Sequence, residues 1–237
     1  MNVSAQAVSQ STEDQSFQVP VQIFQPWSTP VLKTKLPPTI LASMLEVTDE
    51  LLSDKSSEPM GTNLVGQIEN ERRIPLEALE NIGAKGFLEN MVREFVILCK
   101  CQEHPFENDL VRRQIWSTSI TSCWVVSQYP DEYNPVHFHD QHVSAVMYLK
   151  KPKMKPSRKE TQDKDGCICF ISPASRDRRL SSSQFFASPE VGDLYLFGAG
   201  QMHTVYPYRC YKGEEDTERR SVSFNARFEQ LSPSRSK

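Results

Sequence analysis

The chain has 237 residues and a formal net charge of −3 at pH 7, with 38% hydrophobic and 24% charged residues. This length suits one large hydrophobic core and is short for two full domains. The slightly negative charge excludes a global basic field that would attract nucleic acid or an anionic membrane. No apolar run approaches the roughly 20 residues of a membrane span. The N-terminus has no basic segment followed by an apolar one, so we expect a cytoplasmic protein.

The cysteine spacing also bears on the compartment. The six cysteines are Cys99, Cys101, Cys123, Cys167, Cys169 and Cys210. Two cysteines separated by one residue on a strand point the same way and rarely bond to each other. The spacing does not resemble a secreted disulfide framework, which supports a reduced protein. The two Cys-x-Cys pairs could bind a soft metal, but buried thiols that act as small apolar groups are the more frequent case.

The N-terminal half is predicted to be helical behind a short strand. Residues 1–18 are rich in Ser and Gln, which predicts a disordered tail before a single domain over residues 19–237. Residues 21–36 alternate weakly and contain prolines, so they predict one edge strand. Residues 38–53 have apolar side chains at helical spacing behind Pro37 and Pro38, and predict a helix. Residues 75–102 predict a second helical region, interrupted near Gly83 and Gly86.

After Trp116 the apolar spacing changes to a period of two. Short β-branched or aromatic stretches, separated by turn residues, cover residues 115–129, 135–150, 166–172, 192–198, 202–209 and 220–228. Strands this short and frequent predict a sandwich or barrel rather than a parallel α/β sheet. The expected fold class is therefore α+β and mainly β. The β core should cover about residues 115–229, with the N-terminal helices packed on one face.

Three of the five histidines of the chain fall in the stretch YNPVHFHDQHV. His137 and His139 are two residues apart, so on a strand both imidazoles point to the same face. Imidazole is the commonest metal ligand near neutral pH, and two on one face make half of a metal site. His142 is out of phase with this pair and is interpreted as a bystander. His203 can supply a third ligand, because distant strands become neighbours in an antiparallel sandwich.

A polar face is predicted on the last strand. With a period of two, one face carries Arg219, Ser221, Ser223 and Asn225, whereas Arg220, Val222 and Phe224 lie on the other. If the polar face pointed to solvent, it would need no further explanation. If it lined the interior of the barrel, an arginine beside hydroxyl groups would bind a carboxylate. Both interpretations remain open from the residues alone.

These motifs together resemble the 2-oxoglutarate- and Fe(II)-dependent oxygenases. The ordered series is Q-Y-P, H-x-H-D, M-Y-L, G-D-L-Y-L-F, H-x-V and R-x-S-x-S-F-N, over about residues 116–228. It is most similar to the prolyl-hydroxylase-like and uncharacterised branches of that superfamily. The resemblance implies a double-stranded β-helix (a cupin-like jelly roll) with buttressing helices. It also implies Fe(II), O₂ and 2-oxoglutarate, with hydroxylation of a substrate and release of succinate and CO₂.

The resemblance assigns roles residue by residue. It makes His137 the first iron ligand and His203 the distal one. Arg219, with Ser221 beside it, would bind the far carboxylate of 2-oxoglutarate. The alternative arginine is Arg220, and two tyrosines would also contact the co-substrate, namely Tyr148 and Tyr129.

The chain departs from the family pattern at the second ligand. The usual set is two histidines and a carboxylate on one face of Fe(II). Here His139 occupies the carboxylate position, and Asp140 is one residue too late unless a β-bulge turns it inward. We favour three histidines, His137, His139 and His203. Three imidazoles also suit Zn²⁺, so the choice of iron depends on the resemblance.

Two other functions remain open from the sequence. One is a cupin-like dioxygenase with three histidines that needs no 2-oxoglutarate, and the other is a non-catalytic jelly-roll binding module. The substrate, a small molecule or a protein side chain, is not specified, because selectivity in such folds lies in loops and flanking helices.

Overall fold

The computed structural model describes residues 7–8, 19–24, 30–60, 64–104, 106–159, 163–172 and 183–231. Its helices are α1 (Pro38–Ser53), α2 (Leu76–Asn81), α3 (Ala84–Glu103) and α4 (Asn108–Arg113). Its strands are β1 (Ala7–Val8), β2 (Val19–Pro20), β3 (Gln22–Phe24), β4 (Val31–Lys35), β5 (Asn70–Arg73), β6 (Ile115–Gln128), β7 (Asn134–His137), β8 (Val143–Lys150), β9 (Ile168–Ile171), β10 (Gln184–Ala187), β11 (Asp193–Gly198), β12 (His203–Val205) and β13 (Arg219–Leu231). No helix within these ranges is long and apolar enough to cross a membrane.

The described strands form two antiparallel sheets that face each other, together with a separate β1–β2 pair. The larger sheet has the order β3-β4-β11-β8-β13-β6-β5, and the smaller has the order β10-β9-β12-β7. Tyr148 and Phe197 of the larger sheet pack with Ile168 and Phe170 of the smaller in one buried cluster. From β7 onward the chain passes repeatedly from one sheet to the other, as a double-stranded β-helix requires. The predicted fold class is confirmed.

The helices cover the outer face of the larger sheet. Met44 of α1 and Leu88 and Met91 of α3 are fully buried against sheet residues that include Met147 and Val222. Helix α1 begins with Pro38 in its first turn, where the missing N–H has no intrahelical partner to lose. Helices α2 and α3 are separated by Gly83, whose φ of 71° is in the left-handed region that favours glycine. Gly86, the other predicted interruption, lies inside α3.

Strand β8 shows why the chain in this region is almost continuously apolar. Met147 and Leu149 point to the helices, whereas Val146 and Tyr148 point to the smaller sheet. Alternate side chains are therefore buried on opposite faces, and both faces exclude water. The inner face is where the site described below is built.

Several sequence predictions need correction in the N-terminal half and at β10. Residues 21–36 contain two strands, β3 and β4, instead of one, and β3 is the edge strand. The sequence does not predict β5, α4 or β10. Strand β5 reads NERR and has no apolar alternation, and it forms by backbone pairing with β6. The predicted tail over residues 1–18 lies outside the described residues except for Ala7–Val8, which pairs with Val19–Pro20.

The cysteines are free thiols. Four of them are buried, namely Cys101, Cys123, Cys167 and Cys169. Burial raises the pKa of the Cys169 thiol to about 11, which keeps it protonated and poorly reactive near neutral pH. These side chains pack as small apolar groups.

Candidate active site

The first and last histidines of the predicted metal site face each other across two paired strands. His137 ends β7 and His203 begins β12, and the two residues are partners in the antiparallel pairing of these strands. Their ring centroids are 4.2 Å apart. The smaller sheet thus brings together the two histidines that the sequence places on distant strands.

His139 completes the cluster from the segment just after β7. Its backbone N–H donates to the carbonyl oxygen of Ala199 at 2.9 Å, which fixes this segment against the turn after β11. The His139 ring centroid lies 5.1 Å from that of His137 and 5.3 Å from that of His203. Among the described His, Cys, Asp and Glu residues, these three offer ligand nitrogens that all lie within 4.8 Å of one another. Asp140 is exposed and lies outside this group.

Hydrogen bonds to the backbone set the tautomer of two of the imidazoles. Nδ1 of His137 lies 2.8 Å from the carbonyl oxygen of Pro135, and Nδ1 of His203 lies 2.9 Å from that of Gln201. A carbonyl oxygen only accepts, so each Nδ1 carries the proton and each Nε2 keeps its lone pair. Metal-binding histidines are commonly held in this way, with the second nitrogen free to bind the ion.

Burial keeps all three imidazoles neutral at pH 7. It lowers the pKa of His139 to about 4, with repulsion from His137 as the second cause. It lowers the pKa of His203 to about 3, again with His137 adding to the effect, and it also lowers the pKa of His137. A divalent cation therefore meets three unprotonated nitrogen donors without displacing protons, and the residues fit a metal ion such as Fe(II).

Arg219 supplies the positive charge of the same cavity. Its side chain is 2% exposed. Nη1 donates to the Gly166 carbonyl oxygen at 2.5 Å, and Nη2 donates to Oε1 of Gln128. The guanidinium carbon lies 5.8 Å from the Tyr148 ring centre and 5.9 Å from that of Tyr208. Within the described ranges it has no carboxylate partner, and its Nε has no hydrogen-bond acceptor. A buried cation without a counter-ion is suited to bind an anion.

The other predicted co-substrate residues differ in where they lie. Ser221 and Tyr148 are partners across β13 and β8, and both line the cavity with Arg219. The polar face of β13 therefore points inward. Arg220 points to the helix side, where it bonds Glu218 at 2.7 Å and Asp49 at 2.5 Å.

Tyr129 is not brought to the cavity, contrary to the sequence prediction. It follows the last residue of β6, its side chain is 40% exposed, and it is absent from the cavity lining. The preceding residue, Gln128, contacts Arg219 instead and is its partner in the β13–β6 pairing. Strand parity explains the difference, because neighbouring residues point to opposite faces. His142 is structural, since its Nδ1 accepts the backbone N–H of Phe228 at 3.2 Å.

Sequence reasoning also missed residues that surround these groups. The hydroxyl of Tyr208 accepts the backbone N–H of Arg219 at 3.1 Å and lies 2.7 Å from the Gln128 carbonyl oxygen. It holds the start of β13 in place. Trp124 faces His139, with ring centroids 6.0 Å apart. Parity could have identified Trp124 and Gln128, because both share one face of β6.

The cavity has a volume of about 110 Å³. Its lining includes the three histidines, Arg219, Ser221, Tyr148, Trp124, Asn134 and Glu71. Two apolar residues of the lining, Val65 and Phe138, are 49% and 60% exposed and so mark its entrance. The arrangement combines a neutral three-histidine cluster suited to hold a metal ion, a buried cation and an opening toward solvent.

Glu71 is a second charged group of the cavity that the sequence did not identify. It lies on the edge strand β5, is 1% exposed, and its Oε2 has no hydrogen-bond partner among the described residues. Burial, with a smaller contribution from Glu132, raises the pKa of Glu71 to about 7. Gly66 passes close to this carboxylate. If residue 66 carried a Cβ atom, that atom would lie 3.4 Å from Oε1 of Glu71.

Comparison with known proteins finds a family model that matches part of the β core. Residues 122–225 match the model of a family described as "Putative 2OG-Fe(II) oxygenase". This segment contains the three clustered histidines, Tyr148, Arg219 and Ser221. No curated protein matches the chain.

Three solved structures are similar to this protein over most of its length. An oxidoreductase of the 2OG-Fe(II) oxygenase family from Burkholderia pseudomallei is 14% identical, with a TM-score of 0.48 over 82% of this chain and 85% of its own. A Pseudomonas putida prolyl-4-hydroxylase is 16% identical, with a TM-score of 0.47 over 83% and 92%. HygX from Streptomyces hygroscopicus, with nickel, 2-oxoglutarate and hygromycin B bound, is 14% identical, with a TM-score of 0.46 over 84% and 83%. Likeness at this level assigns no residue roles to this chain.

The family match confirms the resemblance inferred from the sequence. This match is to a family of oxidoreductases that use Fe(II), 2-oxoglutarate and O₂, and the three clustered histidines fit the metal ion.

Proposed function

We propose that this protein hydroxylates a substrate C–H bond and releases succinate and CO₂. Its residues 122–225 match the model of the 2OG-Fe(II) oxygenases. The observation that carries the proposal is the shared cavity. Three neutral imidazoles line the same cavity as a guanidinium that has no carboxylate partner among the described residues. A metal ion together with a dianionic co-substrate matches both features at once.

The proposed metal ligands are His137, His139 and His203. The backbone hydrogen bonds at Nδ1 of His137 and His203 orient these rings before the metal arrives. Three imidazoles bring no negative charge, so the bound co-substrate supplies the charge that a carboxylate ligand would otherwise provide. This favours binding of the dianion once the metal is present.

Arg219 is the proposed partner of the far carboxylate of 2-oxoglutarate. Gln128 and Gly166 hold its guanidinium in position, and Ser221 and Tyr148 line the same part of the cavity. Inside a buried site this charge is screened little by water, so it both orients and retains the co-substrate.

When bound, Fe(II) supplies the activation of O₂ that couples oxidative decarboxylation of 2-oxoglutarate to oxidation of the substrate C–H bond. The chain contributes geometry and exclusion of water. The closely packed cluster between the sheets, which includes Phe170, Phe197 and Val205, borders the metal-binding histidines. Such apolar walls limit the access of water to the reacting atoms.

The test has two stages on the native protein. The protein is first loaded anaerobically with Fe(II), and 2-oxoglutarate is added while visible absorption is followed. A new absorption band that needs both components is expected. Oxygen is then admitted and succinate is measured. Binding of Fe(II) without any spectral response to 2-oxoglutarate would instead indicate a three-histidine dioxygenase that needs no 2-oxoglutarate.

A matched pair of histidine variants separates the metal site from general effects. His203→Ala should abolish both metal binding and succinate release, because it removes one ligand of three. His142→Ala removes a histidine that contacts Phe228 away from the cluster, and should retain both. Equal metal binding by the native protein and folded His203→Ala would overturn the proposed ligand set.

A further inference from the structure

We propose that Glu71 selects substrates with a cationic nitrogen, an ammonium or guanidinium group on an aliphatic chain. The proposal rests on the proposed function and adds the chemical class of its substrate. It starts from a buried carboxylate that the metal and 2-oxoglutarate do not use.

Glu71 is placed in the cavity by strand pairing. Strand β5 pairs with β6, so that Glu71 lies opposite Val126, and both residues line the cavity together with Trp124. The carboxylate is 1% exposed and its Oε2 has no partner among the described residues. Neighbouring Arg72 donates to the backbone carbonyl oxygen of Glu71 rather than to its carboxylate.

Such a group calls for a ligand. A buried carboxylate without a partner is costly, and a cation that enters the cavity removes that cost by pairing with it. The three histidines of the cluster are neutral, and the Arg219 guanidinium is held at Gln128 and Gly166. Within the described ranges no protein cation pairs with Glu71, which leaves the substrate to supply one.

The two charges of the cavity are set apart by the sheet. Arg219 lies on β13 and Glu71 on β5, with β6 between them. Two strand spacings amount to roughly 10 Å. The anionic co-substrate and a cationic substrate can therefore bind at different parts of the cavity. The metal-binding histidines border the same space, which places a substrate carbon near the metal.

The other residues that line the cavity near Glu71 suit the aliphatic part of such a substrate. Trp124 beside Glu71 offers an aromatic face, which attracts both methylene groups and cations. Val65 and Phe138 add exposed apolar surface at the entrance. Glu71 as a metal ligand is disfavoured, because it lies outside the group of clustered ligand atoms.

The experiment measures binding of three probes of equal length, 1-butylamine, 1-butanol and butyrate. Native protein is loaded with Zn(II) and the unreactive analogue N-oxalylglycine, and dissociation constants are obtained by ligand-observed NMR. The amine should bind at least about tenfold more tightly than the alcohol, as a charge-assisted hydrogen bond predicts, and butyrate should bind least.

Two variants localise the effect. Glu71→Gln should reduce amine affinity to that of the alcohol while leaving metal and N-oxalylglycine binding unchanged. Glu69→Gln makes the same charge change two residues away on an exposed side chain outside the lining, and should keep the preference for the amine. If Glu71→Gln does not fold, Glu71→Asp is used. Its amine affinity should then lie between the amine affinity and the alcohol affinity of the native protein.

The proposal is overturned if native protein binds the amine no more tightly than the alcohol, or if the preference survives Glu71→Gln. These results are distinguishable from failure of the proposed function. That failure would show as absent binding of metal or N-oxalylglycine in native protein, which is recorded separately in the same samples.

Discussion

Arg219 and Arg220 are neighbours on β13, yet they lie in opposite environments. Arg220 faces the helices and is ion-paired with Glu218 and Asp49. Arg219 faces the smaller sheet and is more deeply buried. Among the described residues its guanidinium contacts a carbonyl oxygen, an amide oxygen and two aromatic rings, and no carboxylate. On the helix side, the charge of Arg220 is thus balanced by carboxylates of the protein itself. The inner side leaves charges unbalanced where ligands are expected.

The largest effect on stability is expected from a substitution on the helix side of the larger sheet, away from the cavity. Leu88 of α3 is fully buried between the helices and the sheet. Leu88→Ala should lower the free energy of unfolding by about 2–5 kcal/mol through lost burial and a residual cavity. Urea unfolding measures this, and Zn(II) titration of the folded variant should give native affinity. A large loss of metal affinity in the folded variant would show that the two faces are not independent.

Substitution of each of the two neighbouring arginines tests the difference between the two faces of β13. Arg219→Ala should weaken 2-oxoglutarate binding to the Fe(II) protein by about 10- to 100-fold, the value of a hydrogen bond to a charged group, while metal affinity is retained. Arg220→Ala should leave 2-oxoglutarate affinity within about twofold and lower the free energy of unfolding by about 1–3 kcal/mol instead. Anaerobic titration and urea unfolding measure the two quantities. The opposite assignment of effects would mean that the strand parity is wrong by one residue.

The unbalanced inner side should also give the metal-free protein a distinctive pH dependence. The folded pKa values of His139, about 4, and His203, about 3, lie below the ordinary value of 6.5. The unfolded chain therefore binds more protons below pH 6.5, and stability should fall from there as the pH is lowered toward 4. Urea unfolding between pH 7.5 and 4.5 tests this. His203→Gln should show a shallower decline, and an equal slope in both proteins would contradict the assignment.

Glu71 should affect the pH dependence of stability in the direction opposite to that of the histidines. Its folded pKa, about 7, lies above its ordinary value of 4.5. The stability that this difference in pKa contributes is fully present below pH 4.5 and is lost as the pH rises through 7. Glu71→Gln removes this contribution, so the variant should lose stability more steeply than native protein on acidification from pH 7. The same unfolding series measures it, and a shallower slope in the variant would count against a buried, partnerless carboxylate.

The smallest effects on 2-oxoglutarate affinity are expected from substitutions of two neighbouring residues at the end of β6, Gln128 and Tyr129. Gln128→Ala should weaken 2-oxoglutarate binding by about threefold to tenfold, because Arg219 loses a hydrogen bond that holds it. Tyr129→Phe, at an exposed site, should change the affinity by less than twofold. A stronger effect of the tyrosine variant would restore Tyr129 as a co-substrate contact.

Most of the β core could be predicted because its pattern is repeated. Alternation along β6, β8, β11 and β13 fixes which face each residue occupies, and the H-x-H spacing and the late His203 indicate one metal site. Parity also predicted that Arg219, rather than Arg220, would share a face with Ser221, and the structure places them so.

The remaining features depend on contacts that no local pattern encodes. Strand β5 is polar, and its pairing with the edge of β6 is a tertiary contact, so neither the strand nor Glu71 in the cavity could be predicted from periodicity. Tyr129 was assigned to the cavity by the family resemblance, although strand parity places the preceding residue, Gln128, on the inner face opposite Arg219. The exposure of Asp140 likewise depends on how the segment after β7 packs against Ala199.

The central claim is that three histidines and Arg219 bind one metal ion and one dianion in a single cavity. A crystal structure of the anaerobic complex with Fe(II) and N-oxalylglycine tests it most directly. The expected result is iron bound by His137, His139 and His203, with the far carboxylate of the analogue on Arg219. Iron bound by Asp140 in place of His139, or an analogue that does not contact Arg219, would contradict the account.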